Sequence, residues 1–422
     1  MGHPLLSMGT QPNTLAIDLA EFKLGWRILV LSVLGVATSV TAALLYGFGA
    51  MILPLQEAMG WSRGAVQSAI TFLFAGAIIS TQIIGWLNMR FGIRAVTALS
   101  LASLVIGYLA LTQVRGSIVW LYIGVALLPL IAPGTLAVTW TQIVNLWFDR
   151  NRGLALALIL SGTGLAAAIM PALISMAVAR WDWRAGFVIL ALPPLLLTLP
   201  LTLLWMREPT SEATATPEAR RLKALALTGV SFRQGLRSRQ FWTCNIALLF
   251  VVAGIVAMVT STVPLLRDKG LSATQAGQIF GTFGLSLIAG RVLVGYLIDR
   301  VWAPAVATVA LGLPAIGCLI FLLADAQVPM LIAGTMLVGI GAGAEFDIAA
   351  FLIARYFGMR NYGRLFGFHI GLATAGSAVT PVLVGWSFET TGSYTVTLIA
   401  CVVAFGAGSL ALLTLGRYPQ LE

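Results

Sequence analysis

Long apolar stretches alternate along the chain with short polar breaks, and the apolar runs have the length of membrane-crossing helices, which need roughly 20 residues each. The pattern predicts helices over 26–54, 63–87, 93–113, 118–146, 152–179, 184–206, 240–266, 272–298, 303–323, 327–354, 363–388 and 394–416. Several are longer than a crossing requires, which predicts tilt or extension beyond the bilayer. Breaks such as WSRG (61–64), VRGS (114–117), RWDWR (180–184) and RDKGLS (267–272) separate the runs, so the number twelve is better defined than any helix end. The expected fold class is an all-α polytopic membrane protein.

Composition agrees. The 422 residues are 59% hydrophobic and 9% charged, whereas a soluble domain is about 25% charged. Cys244, Cys318 and Cys401 are isolated within apolar runs and suggest neither a disulfide framework nor a metal site. Asp18 and Glu21 precede the first run, with no basic region and cleavage site, so the first span is expected to be retained. The sequence divides into an N-terminal tail (1–25), a six-helix bundle (26–206), a linker (207–239), a second six-helix bundle (240–416) and a C-terminal tail (417–422). The linker contains EPTSEATATPEARR, a composition that predicts mobility, and it ends in a predicted short basic amphipathic helix at the surface.

Charge placement sets the orientation. Of 25 Lys and Arg residues, only Arg63, Arg115, Arg180, Arg184, Arg267 and Lys269 fall on one side of the predicted membrane; eighteen fall on the other, and Arg291 lies within a span. The positive-inside rule then places both termini in the cytoplasm of a multi-pass inner (plasma) membrane protein. The formal charge of +10 follows from this topology and from attraction to anionic lipid, and is no argument for nucleic-acid binding.

The two halves repeat. NLWFDRNRGLALALILSGTGLAAAIMP (145–171) aligns with ARYFGMRNYGRLFGFHIGLATAGSAVTP (354–381), each an aromatic-Phe pair and basic residues before a glycine-rich helix that reaches proline. GWLNMRFGIR (85–94) likewise pairs with GYLIDR (295–300). Such repetition predicts two pseudo-symmetric six-helix bundles facing one another, an arrangement suited to alternating access.

At these positions the chain resembles the major facilitator superfamily. Gly85, Leu87, Arg90, Gly92 and Arg94 fit that family's loop between helices 2 and 3, and Gly295, Leu297, Asp299 and Arg300 fit the loop between helices 8 and 9. The resemblance covers about residues 24–416 and implies gating roles for Arg90, Arg94, Asp299 and Arg300. Met89 occupies the usual acidic position of the first loop, which weakens the implied latch there. Within the superfamily the chain looks most like the monocarboxylate transporters and the oxalate–formate antiporter group. The residues behind this are Tyr46-Gly47-Phe48-Gly49 and Pro54 in helix 1, Asn145 with Trp147-Phe148 at the end of helix 4, Arg291 in helix 8, and Arg355-Tyr356-Phe357-Gly358 before helix 11. The resemblance implies that Arg291 binds a substrate carboxylate. Leu287 stands one turn earlier, where many such carriers place an aspartate.

Arg291 also stands out without any relative. A cation within an apolar span costs about 2.5–3.5 kcal/mol on insertion scales and should face a partner, a cavity or an anion. It lies nine residues before Arg300, too deep for simple snorkelling at about 1.5 Å per residue. Its fork of donors suits a carboxylate in a poorly screened cavity; a fixed ion pair is the plainer alternative. Glu345 and Asp347 in helix 10 are candidate proton carriers, with Glu345 preferred, although residues two apart point about 200° from each other. His369 in helix 11 is a third candidate for proton coupling, or a neutral histidine bonded to a neighbour. Tyr46, Trp140, Gln142, Asn145 and Asn245 offer further substrate donors on helices 1, 4 and 7, which together with helix 10 line the cavity in the resembling superfamily. For Trp140 helix packing is the alternative. Trp61, Trp181, Trp183 and Trp302 fall near predicted boundaries and read as interfacial anchors.

The expected activity is secondary transport of a small organic anion by proton-coupled monocarboxylate symport, with anion exchange as the alternative and proton-driven export of lipophilic compounds behind it. GTGLAAAIMP lacks the glycine-proline pattern usual in helix 5 of drug–proton antiporters. No metal cluster, nucleophile constellation or nucleotide loop is visible, so an enzyme is not expected and no cofactor is implied. The expected partners are the organic anion, protons and membrane lipid, with a monomer as the functional unit.

Overall fold

The computed structural model describes residues 19–148, 152–207, 229–298, 300–358 and 360–419. Among them are eleven helices long and apolar enough to cross a membrane, and a twelfth span in two pieces. Helix 1 runs as Leu19–Ala37 and Val40–Met59, helix 2 as Arg63–Phe91 and helix 3 as Ile93–Leu111. Helix 4 comprises Val119–Ile131 and Ala137–Trp147. Helix 5 comprises Arg152–Leu160 and Gly162–Arg180, and helix 6 is Arg184–Trp205. Helices 7 to 12 are Arg239–Asp268, Ala273–Ile298, Ala303–Leu323, Val328–Phe357, Tyr362–Thr391 and Thr395–Leu412. Consecutive spans reverse direction. The turns between helices 2 and 3, 8 and 9, and 10 and 11 therefore share a terminal face with the chain ends, and those between helices 1 and 2, 7 and 8, and 11 and 12 share the distal face.

Helix ends follow local chemistry. The Ser62 hydroxyl accepts from Ala65 N (3.2 Å) to start helix 2, and Ser238 accepts from Phe241 N (3.1 Å) to start helix 7. Ser272 and Gln275 form a reciprocal pair at the head of helix 8. The predicted continuous helix 118–146 is instead interrupted at Ala132–Leu136, because Pro133 has no amide hydrogen to donate. The interruption is buried, and Gly134 N donates to Ser100 Oγ of helix 3 (2.9 Å), so the freed backbone is satisfied inside the protein. Trp183, expected as an interfacial anchor, is buried against Phe187 with the Arg184 guanidinium 4.5 Å from its ring centroid, whereas Trp181 is exposed.

Helices 1–6 and 7–12 form the two bundles, joined where helix 5 meets helix 8, helix 2 meets helix 11 and helix 1 meets helix 7. The helix 5–helix 8 seam is a backbone contact: a Cβ at Gly284 would collide with Ala168 N and Gly164 O. The terminal-end segments Leu19–Ala37, Ala137–Trp147, Arg152–Leu160 and Leu199–Trp205 find their packing partners within their own half. Among the described residues, the side-chain hydrogen bonds and ion pairs between the halves all lie at the distal end. The linker re-enters the described structure at Gly229, which bridges to Gly358, and leads to the short helix Phe232–Arg237. Gly235 of that helix lies against Leu365, and Arg364 stacks on Phe232 at 4.5 Å, so the segment is docked on the C-terminal half.

Replacing Gly284 with Val should force helices 5 and 8 apart. Overpacking of this kind costs about 1–3 kcal/mol, so thermal unfolding in detergent should show a lowered midpoint; an unchanged midpoint would contradict the backbone contact.

Candidate functional site

Helix 8 presents Arg291 to helix 10. A Cβ on Gly343 would strike the Leu287 carbonyl, so the two backbones touch one turn above the guanidinium. Arg291 Nε donates to Gly343 O (3.4 Å) and lies 3.2 Å from Asp347 Oδ2, partners one turn apart on helix 10. The residue is 7% exposed, and its Nη1 is buried without a hydrogen-bond partner. Glu345 is 6% exposed, and its Oε2 is likewise buried and unpartnered. The Asp347 side chain is 34% exposed, so the acid that pairs with Arg291 also reaches an accessible surface.

Tyr46 completes the group from the other half. Its ring centroid lies 5.8 Å from that of Phe283, two turns above Arg291 on helix 8, and Phe283 stacks on Phe280 at 5.2 Å. The Tyr46 hydroxyl is close enough to interact electrostatically with both Glu345 and Arg291. One cation and two carboxylic acids thus stand on helices 8 and 10 of the C-terminal half, with the Tyr46 ring of helix 1 against helix 8 at Phe283, two turns away. The glycines around Tyr46 allow this approach: Gly47 lies against Ile174 of helix 5, and Gly49 against the Val259 carbonyl of helix 7.

The remaining candidates stand elsewhere. His369 is 1% exposed; its Nδ1 lies 3.1 Å from Asn245 Oδ1, while Asn245 Nδ2 donates to Phe241 O (2.8 Å). These two residues tie helix 11 to helix 7, and no hydrogen bond or ion pair among the described residues joins them to Arg291. Trp140 is fully buried, donates to Thr135 O (3.1 Å) and fills the space left by Gly35 on helix 1. Gln142 accepts from Asn88 Nδ2 (2.8 Å), and Asn145 is exposed near the terminal end of helix 4. Arg90 lies near the Trp86 and Phe91 rings, Arg94 donates to Leu203 O at the end of helix 6, and Arg300 donates to Tyr296 O while stacking on its ring at 3.6 Å. Asp299 and His3 lie outside the described residues, as do residues 208–228 of the linker.

Ser62 and Arg63, which the sequence pattern marked only as a break, and Gln67, which it placed within helix 2, prove to bridge the halves. Arg63 forms a two-pronged ion pair with Asp268 (2.5 and 3.1 Å), Ser62 hydrogen-bonds Glu389, and Gln67 donates to Thr260 (3.1 Å) and Ser261 (2.9 Å). Their signal in the sequence was a lone arginine in an otherwise sparsely basic set of distal turns. Burial raises the phenol of neighbouring Tyr394 above its ordinary pKa, so a neutral ring stands beside the Arg63 cation.

The comparisons with known proteins bear on this arrangement. A family model described as Major Facilitator Superfamily matches residues 34–327 and 265–422. The chain is 24% identical over 398 residues to Monocarboxylate transporter 13 of Bos taurus, covering 93% of this chain and 90% of that protein. It is 23% identical over 378 residues to Monocarboxylate transporter 12 of Rattus norvegicus, covering 82% and 75%. A crystal structure of a mutant of the nucleoside transporter NupG aligns with a TM-score of 0.74 at 12% identity over 93% of this chain and 100% of that one, a likeness of fold alone.

Asn245→Ala should strand His369 Nδ1 as well as Nε2, which already lacks a hydrogen-bond partner. An unsatisfied buried group costs about 1–3 kcal/mol, so the thermal midpoint should fall; a neutral effect would show that His369 finds another partner.

Proposed function

The chain belongs to the major facilitator superfamily, and on that premise we propose that it is a secondary active transporter of a small organic anion, working by proton-coupled monocarboxylate symport and alternating access. The observation that supports this most directly is the Arg291 Nη1 donor, buried mid-span with no partner while Nε is held by helix 10. An unmade charged hydrogen bond in such a place is costly, and a carboxylate is the group whose geometry and charge best answer a guanidinium fork. In this reading Arg291 binds the substrate carboxylate and Tyr46 supports it from the N-terminal half.

Glu345 carries the coupling proton. Its Oε2 has no hydrogen bond to break when a proton arrives, and it lies two residues from Asp347, the partner of Arg291. Asp347 keeps the guanidinium oriented until the substrate takes its place. One proton per monoanion leaves the transported charge at zero, so the loaded carrier is spared about 2.3 kcal/mol per charge per 100 mV of membrane potential. His369 and Asn245 hold helices 7 and 11 together, and Arg90, Arg94, Asp299 and Arg300 govern closure of the terminal face, which lies in the cytoplasm. The protein acts as a monomer. Anion exchange is the second reading, favoured by the Arg291–Asp347 pair itself: an incoming anion can trade places with Asp347 without any proton.

Purified protein in proteoliposomes loaded with a pH-sensitive dye, challenged with a panel of carboxylates, tests both readings. Proton entry with a monocarboxylate is the expected result. Arg291→Gln should reduce flux at least tenfold, the scale of one charged hydrogen bond at about 1.5–3 kcal/mol; normal coupled flux in that variant would overturn the binding assignment. Glu345→Gln should abolish accumulation driven by a proton gradient while preserving tracer exchange. Accumulation that survives in Glu345→Gln would move the proton to another residue, and exchange without proton movement in the parent protein would favour antiport.

A further inference from the structure

Arg63 opens helix 2 at the distal face and reaches across to helices 7 and 11 and the turn before helix 12 of the opposite half. Both terminal nitrogens of its guanidinium engage Asp268 at the end of helix 7. Its plane lies 4.3 Å from the Phe388 ring centroid on helix 11 and 5.9 Å from that of Tyr394, just before helix 12. Within its own half Nε points to Gln56 Oε1 at 3.4 Å. The Arg63 side chain is 12% exposed and that of Asp268 38%. Around it, Ser62 bonds Glu389, and the backbones of Gly64 and Gly385 are in contact.

One turn deeper, Gln67 is fully buried and donates to two hydroxyls of helix 7. The distal seam thus has a charged, aromatic-backed rim and a buried polar layer beneath it. At the terminal face no hydrogen bond or ion pair crosses between the halves among the described residues. Among the described residues, the polar fastening between the halves is therefore at the distal end.

We propose that Arg63 is the clasp of a distal gate, that release of its fork from Asp268 is the step that lets the distal face open, and that this clasp biases the resting protein toward the distal-closed state. The proposal rests on the alternating-access reading above. The physical reason lies in the fork: two parallel charge-assisted bonds and a stacked aromatic face exist only while the halves are together. Because the pair sits at a partly exposed rim, water can replace its partners when it opens, so the clasp is reversible. Gln67, fully buried, can separate from Thr260 and Ser261 only after the rim has admitted water. A lysine at position 63 would keep the charge and lose both the fork and the stacking.

Distances across each face test this in the full chain in nanodiscs. Spin labels at Arg115→Cys and Gln327→Cys report the distal face, and labels at Met89→Cys and Arg360→Cys report the terminal face; all four positions are exposed, and the native Cys244, Cys318 and Cys401 are buried. The protein with native Arg63 and Asp268 should show mainly the short distal distance. Arg63→Gln and Asp268→Asn should each raise the ratio of long to short distal populations at least tenfold, equivalent to about 1.4 kcal/mol. Arg63→Lys should fall between, and the double exchange of Arg63→Asp with Asp268→Arg should recover most of the short population. Distal distances unchanged in both Arg63→Gln and Asp268→Asn would overturn the clasp. Distal opening without a matching shortening of the terminal distance would leave the clasp standing and overturn alternating access instead.

Discussion

Helix 8 can hold a cation in the middle of a membrane span because its backbone touches those of helices 5 and 10. The contacts at Gly284 and Gly343 leave no room for a side chain, which brings the helix 10 carbonyl of Gly343 and the Asp347 carboxylate within reach of Arg291. A looser seam would leave the guanidinium to lipid or to water, and the cost of either is what keeps such residues scarce in membrane spans. The same helix is shared between the halves, packing on helix 5 along one side and on helices 9 and 10 along the other. The charged site and the surface on which the halves meet are therefore two sides of one element.

The fold was largely legible in the sequence because lipid imposes a coarse and unforgiving pattern: every crossing helix must be apolar for most of its length. The twelve spans and the internal repeat follow from that pattern and from its breaks. Less legible was the path of the chain within a span. Helix 4 reads as one apolar run from 118 to 146, yet Pro133 interrupts it, and the rescue by Ser100 on helix 3 is a tertiary contact that no local pattern encodes.

The site was legible in kind more than in grouping. Arg291, Glu345 and Asp347 announce themselves as charges in apolar surroundings, and the structure pairs Arg291 with Asp347 and buries Glu345 on the same helix as that acid. Asn245 and His369 looked equivalent by the same criterion, but His369 Nδ1 pairs with Asn245 Oδ1 across helices 7 and 11, leaving Nε2 buried without a partner away from Arg291. Arg63 was invisible as a bridging residue because its meaning depends on Asp268, 205 positions away in the chain, and on an aromatic pair farther still. Charge at a helix end is ordinary; what makes it specific is the partner supplied by the other half.

The interruption of helix 4 has a mechanical consequence. A continuous helix transmits a tilt at one end to the other as a rigid rod does, whereas Val119–Ile131 and Ala137–Trp147 are two short rods with a joint between them. The upper rod packs against helix 2, which carries Arg63, and the lower one against the first part of helix 1. With the joint itself seated on helix 3, each rod is held by its own neighbours and not by an unbroken ladder of backbone hydrogen bonds running from one face of the molecule to the other.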